Sequence, residues 1–264
     1  MPAVITHFDT PVSPVDESRR SISALLSPLD KIAADSPNLV IRHTGSFEIA
    51  GERYELPSYV FIGPESGRPP VRLAFFAGLH GNELEGSLAL IFLTQLLDAR
   101  PELVRGYCLF FYPLCNPTGY EDETYLSRHG GDLNREFWNG SSAPEVRVLE
   151  GEIKSQDFDG IITLHSNQTK NHFFAVSPHS VVTDQLVKPA CQAVDKFCTQ
   201  TEARPVFNIG VRFPRAHAGA LHLPPNSDGI AFEITLDAPK AEAAWLLAAI
   251  LSVLKEHQKL TFNQ

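Results

Sequence analysis

The chain predicts an α/β protein with three layers, a largely buried sheet between helices. Two observations carry this. Short apolar runs such as Val71–Ala77 (VRLAFFA) alternate with longer segments of helical apolar spacing, the pattern of strands buried on both faces and joined by crossover helices. A composition of 43% hydrophobic and 20% charged residues over 264 positions supplies a sizeable core, and the length suits one large domain, residues 1–264.

The elements follow in order. Residues 1–17, rich in Pro and small or polar side chains, form an irregular lead-in. Ser18 to Ala34 has helical spacing through Ile22, Leu25, Leu26, Leu29 and Ile32, with Pro28 as a kink or break. Leu39–Ile49 and Tyr54–Ile62 read as strands joined through Ala50-Gly51-Glu52. After a Gly/Pro-rich loop, Val71–Ala77 is a central strand that stops at Gly78, and Glu83 to Leu97 is helical. Tyr107–Leu114 is a further strand, and a long loop runs from Asn116 to Trp138. Pro144–Gln156 is a helix, Gly160–Leu164 and Phe173–Val176 are strands, and Val181–Cys198 is a helix. Residues 201–229 make an irregular excursion before a last strand, Ile230–Leu236, and a closing amphipathic helix, Ala241–His257.

Several function classes are set aside by composition. A net charge of −9 with no clustered Lys/Arg stretch argues against nucleic acid as a partner. No apolar run reaches the roughly 18 residues a membrane span needs, and the N-terminus lacks the basic and apolar regions of a signal peptide. The four cysteines lack C-x-x-C spacing and read as free thiols in a reducing cytoplasm. Dinucleotide, Walker A and nucleophile-elbow motifs are missing.

The chemistry concentrates where strands end, the place at which open α/β sheets bind ligands. Leu79-His80-Gly81-Asn82-Glu83 follows the central strand, and a separation of three lets His80 and Glu83 aim at one point. Imidazole nitrogen and carboxylate oxygen are zinc donors. His165, at the end of the strand Gly160–Leu164, is placed to be a third ligand, leaving one position open as a catalytic site needs. Glu233 is a lone charge in an apolar strand, costly unless used, and is a candidate base beside the metal. In the loop Asp132-Leu133-Asn134-Arg135, adjacent amide and guanidinium can hold a carboxylate. Arg128 is a candidate cation for an oxyanion.

Taken in order, H-G-N-E, Asn116-Pro117-Thr118-Gly119, D-L-N-R-x-F, a strand-end histidine and a late strand glutamate resemble the zinc metallocarboxypeptidase family of the carboxypeptidase A type. Its relatives include the succinylglutamate desuccinylase and aspartoacylase deacylases. The resemblance runs from about Val71 to Leu236. It implies a mixed, mostly parallel sheet of about eight strands flanked by helices, and one zinc ion held by His80, Glu83 and His165. It further implies Glu233 as general base, Arg128 at the scissile carbonyl, and Asn134 and Arg135 on the free carboxylate of a peptide or small-molecule substrate. The resulting expectation is a metallocarboxypeptidase. An N-acyl amino acid deacylase is the alternative within the family, and a non-catalytic binding protein is the alternative outside it. All six tyrosines lie at or before Tyr125, so the late tyrosine such carboxypeptidases present to substrate has no counterpart here. Arg204, Arg212, Arg215, His217 and His222 are candidate contacts for a second acidic group.

Overall fold

β3 (Val71–Ala77) and β4 (Tyr107–Tyr112) show why the sheet is central, since their side chains alternate between two separate cores. Leu73, Phe75, Leu109 and Phe111 face one core, and Ala74, Phe76, Phe110 and Tyr112 face the other. The computed structural model describes residues 19–167, 172–200, 208–210 and 232–262. Its other strands are β1 (Leu39–Ile49), β2 (Glu52–Ile62), β5 (Gly160–Asn167), β6 (Phe174–Val176), β7 (Asn208–Gly210) and β8 (Phe232–Pro239). They form one eight-stranded sheet in the order β1-β2-β4-β3-β5-β8-β6-β7. The centre, β4-β3-β5-β8, is parallel; β1 joins β2, β2 joins β4 and β6 joins β8 antiparallel, and β7 runs parallel to β6.

One face of the sheet is covered by α1 (Ile22–Asp35), α2 (Glu85–Ala99), α6 (Lys188–Gln200) and α7 (Ala243–Phe262). The opposite face packs on α4 (Pro144–Ser155). The three-layer α/β expectation therefore holds, with a mixed sheet of the implied strand number. Among the described residues, no helix is long and apolar enough to cross a membrane. All four cysteines are buried, and none of them is in a disulfide.

Local differences from the sequence expectation have physical reasons. Pro28 sits inside α1 without ending it. The helix instead starts at the Ser21 cap, whose side chain accepts from the Ala24 N–H. The long loop after β4 contains a one-turn helix, α3 (Pro117–Glu121), capped by Asn116, and a 3-10 turn, Leu133–Arg135. The helix expected over 181–198 begins as α5 (Ser180–Val182) and passes through a π segment, Thr183–Val187, into α6. The short β7 lies within the expected excursion. β8 runs three residues past Leu236 and so takes in Asp237, a difference that matters at the site. The lead-in, 1–17, lies outside the described residues.

Candidate metal centre

Three parallel strands end side by side. β3 stops at Ala77, which pairs with Leu164 of β5, and His165 of β5 pairs with Asp237 of β8. Gly78, at φ +64°, turns the chain out of β3 in a conformation that favours glycine. The turn that follows is pressed against α3, since a Cβ on Gly81 would come within 1.9 Å of the Gly119 carbonyl carbon. Asn116 secures the same junction, accepting from the Gly119 N–H at 2.8 Å and donating to the Leu79 carbonyl at 3.3 Å. The two motifs thus hold one another in place.

This turn carries His80 and Glu83, both buried, to His165, also buried. One candidate ligand atom from each residue falls in a group whose members all lie within 4.8 Å of one another. Glu83 lies between the histidines, Oε1 at 2.9 Å from His80 Nδ1 and Oε2 at 3.2 Å from His165 Nδ1. Glu83 Oε2 also accepts from the Ser166 N–H at 3.1 Å. On its other side His80 Nε2 lies 3.1 Å from Asp132 Oδ1. That carboxylate can only accept while ionised, so Nε2 carries a proton and Nδ1 faces the cluster. His80 Nδ1 is buried and, despite its approach to Glu83, lies outside hydrogen-bonding geometry. A buried nitrogen left in this way, beside a carboxylate and a second imidazole, is what a metal-ligand set requires. A carboxylate orienting the far nitrogen is the usual support for such a histidine.

The electrostatics agree. Burial disfavours charge on Glu83, but His165 and His80 outweigh it and hold the carboxyl down at about 2. Burial likewise opposes charge on His80, and the Asp132 and Glu83 carboxylates outweigh it and raise it to about 9, a proton that a bound cation would displace. Asp132 is lowered, burial again being outweighed, here chiefly by His80. The pocket is therefore one in which ionised carboxylates favour a cation.

The remaining sequence-derived candidates divide. Asn134 and Arg135 sit on the 3-10 turn beside the centre. The Asn134 N–H donates to Asp132 Oδ1 at 3.1 Å, and Arg135 Nε donates to Asp132 Oδ2 at 3.1 Å with its side chain 56% exposed. Arg204, Arg212, Arg215, His217 and His222 lie outside the described residues.

Glu233 is not brought to the centre. β8 pairs it with Ile161, four residues behind the His165–Asp237 pair. At about 3.3 Å per residue that is roughly 13 Å, beyond the reach of a glutamate side chain. The carboxylate at the ligand end of β8 is Asp237. It shares a face with Thr235, whose hydroxyl lies 2.9 Å from that of Thr163, and two residues further on the same alternation sets Asp237 beside His165.

Arg128 also departs from its expected place. Its guanidinium has five N–H donors, and five acceptors take them. Nε and Nη2 grip Asp122 at 2.6 and 2.8 Å, Nη2 reaches Glu121 at 3.1 Å, and Nη1 reaches Glu52 at 2.6 Å and the Tyr54 hydroxyl. Hydrogen bonding to Asp122 leads the effects that raise its already high pKa. An arginine so engaged anchors the loop to β2 and has no donor left for an oxyanion. Arg128→Ala is expected to lower stability by about 1–3 kcal/mol, between the values for exposed and buried ion pairs, with kcat/KM changed less than about threefold. Thermal melts and steady-state kinetics on one preparation check both halves.

Two contributors had no strong sequence signal. Glu85, in the first turn of α2, accepts from the Ala241 N–H at 2.7 Å and from the Ser166 hydroxyl, tying the exits of β8 and β5 together. Tyr125 stacks on His80, ring centroids 3.8 Å apart.

Comparison with known proteins places this geometry. The fold matches a metallo-carboxypeptidase from Burkholderia cenocepacia with a TM-score of 0.72 at 15% identity, covering 92% of this chain and 70% of that one. In sequence, 183 residues are 27% identical to carboxypeptidase D of Drosophila melanogaster, and 140 residues are 31% identical to carboxypeptidase D of Mus musculus. These stretches are 60% and 47% of this chain but only 13% and 9% of those longer proteins. Residues 69–197 match the family model of the succinylglutamate desuccinylase/aspartoacylase catalytic domain. That match spans just under half of the chain, and together these likenesses support a place among the zinc carboxypeptidase-like and deacylase proteins. The matched segment contains His80, Glu83, Asp132, Asn134, Arg135 and His165. The Burkholderia cenocepacia protein is a metallo-carboxypeptidase, and at 15% identity what this chain shares with it is the fold.

Proposed function

We propose that this chain is a zinc-dependent hydrolase of an amide next to a free carboxylate, and that it removes the C-terminal residue of a peptide. The observation that carries the reading is the buried His80/Glu83/His165 cluster with His80 Nδ1 left without a hydrogen-bond partner. Two imidazoles and a carboxylate are a catalytic zinc ligand set. Bound there, zinc supplies Lewis-acid polarisation of a carbonyl and acidifies water.

The chain's own residues do the rest. Asp132 orients His80 through its Nε2. Asp237, at the end of β8, takes the proton of the attacking water on its carboxylate and passes it to the leaving amine nitrogen. Arg135 and Asn134, on the rim, hold the substrate carboxylate by charge-assisted hydrogen bonds, which confines cleavage to a chain end. Four buried cysteines outside any disulfide suit a reducing cytoplasm.

A second reading, hydrolysis of an N-acyl amino acid, is favoured by the family model matched over residues 69–197. Both substrates present an amide beside a carboxylate, and the motifs serve either. The zinc-loaded protein is expected to release the last residue of short peptides and to leave their C-terminally amidated forms intact. Product release followed by mass spectrometry checks this. Cleavage of N-acyl amino acids alone turns the reading to the deacylase. A zinc-loaded protein that cleaves neither class leaves a binding protein with the family fold.

A further inference from the structure

The loop between α3 and Asp132 lays Tyr125 flat over His80. The rings are 3.8 Å apart between centroids and inclined by only 16°. The backbone pins this arrangement from both sides of the residue. Gly81, next to His80, donates its N–H to the Tyr125 carbonyl at 3.4 Å, and Thr124 donates its N–H to the Gly119 carbonyl at 2.8 Å. The phenol reaches the carboxylate that orients His80, its O–H donating to Asp132 Oδ2 at 3.4 Å while His80 Nε2 meets Oδ1 at 3.1 Å. The tyrosine is 41% exposed, whereas the histidine beneath it is 5% exposed. One face of the imidazole is thus covered by an aromatic ring whose far side meets solvent.

We infer that Tyr125 is a positioning residue for the metal centre, its ring clamping the His80 imidazole plane and shielding it from water. The inference rests on the reading of His80 as a zinc ligand. A face-to-face neighbour at this distance limits rotation of the imidazole about its Cβ–Cγ bond. Asp132 fixes only one nitrogen and leaves that rotation less restrained. The long phenol–carboxylate contact adds little beside the ring, because hydrogen bonds weaken with length. The clamp should therefore survive loss of the hydroxyl and fail with loss of the ring.

The test is zinc affinity, measured by chelator competition on the full chain, with the cobalt-substituted visible spectrum as a readout of ligand geometry. Tyr125→Phe is expected to bind zinc within about threefold of wild type and to keep the cobalt spectrum. Tyr125→Ala is expected to bind about 10–100-fold more weakly, the range for groups that orient a metal ligand, with an altered spectrum and an unchanged far-UV circular dichroism spectrum. Where the alanine variant does not fold, Tyr125→Leu, which fills similar space without a π face, takes its place with the same expected loss. Binding within twofold of wild type in the ring-less variant overturns the inference, as does a phenylalanine variant as weak as alanine. Failure of wild type to bind zinc at one ion per chain, or full binding by His80→Ala, sinks the underlying site reading instead.

Discussion

Asp237→Asn is expected to leave the protein folded and zinc-loaded while lowering kcat/KM about 10²–10⁴-fold, the usual worth of a positioned proton-transfer group. Glu233→Gln is expected to stay within about threefold of wild type. The argument is one of register. β5 and β8 run parallel with His165 level with Asp237 and Ile161 level with Glu233. Only the first pair lies at the end of the sheet where His80 and Glu83 arrive. The amide retains the size of the carboxylate and a hydrogen-bonding oxygen, but cannot accept the proton at neutral pH. Steady-state kinetics with zinc content measured on the same samples separates a lost base from a lost metal. A Glu233→Gln enzyme that loses activity while Asp237→Asn keeps it would reverse the assignment.

The second large effect belongs to Glu83. Its two oxygens meet the two histidines at 2.9 and 3.2 Å, and Oε2 also accepts the Ser166 N–H. Glu83→Ala removes a proposed metal ligand and the group that lies between the two imidazoles. Zinc content should fall from one ion per chain to near none, a loss beyond the roughly 10–100-fold that supporting residues cost, and hydrolysis should disappear with it. Melting supplies a check independent of activity. A ligand at about 100 times its Kd stabilises the folded state by about 2.7 kcal/mol, so added zinc should raise the wild-type Tm and leave that of Glu83→Ala unmoved. A variant that still melts higher with stoichiometric zinc would show that the ion sits elsewhere.

The layers of the fold were legible because they depend on local periodicity. Val71–Ala77 reads as buried on both faces from seven consecutive residues, and the structure buries it so, with only Val71 and Arg72 partly exposed. His80 and Glu83 were legible as a pair for a similar reason, being three apart in one turn, and His165 by its place after an apolar strand. The assignments that moved depend on long-range pairing. Glu233 stands out in sequence as a charge among apolar neighbours, whereas Asp237-Ala238-Pro239 looks like the start of a turn. Only the pairing of β8 with β5, across more than seventy positions, sets Asp237 rather than Glu233 level with His165. Arg128 faces Glu52, a partner 76 residues away, and no local pattern announces such a contact. Tyr125 reads as a loop aromatic until the loop closes over His80.

The contact between Gly81 and Gly119 carries a consequence for anyone who rebuilds this protein. The Gly119 backbone occupies the space a side chain on Gly81 would need, and a Cβ on Gly119 would itself meet the Asn116 amide nitrogen and the Leu126 carbonyl, each at 2.6 Å. Residues 78–83 and 116–126 therefore behave as a single cassette, though more than thirty positions separate them. A loop transplanted from a relative into one of them should dock only when its counterpart travels with it.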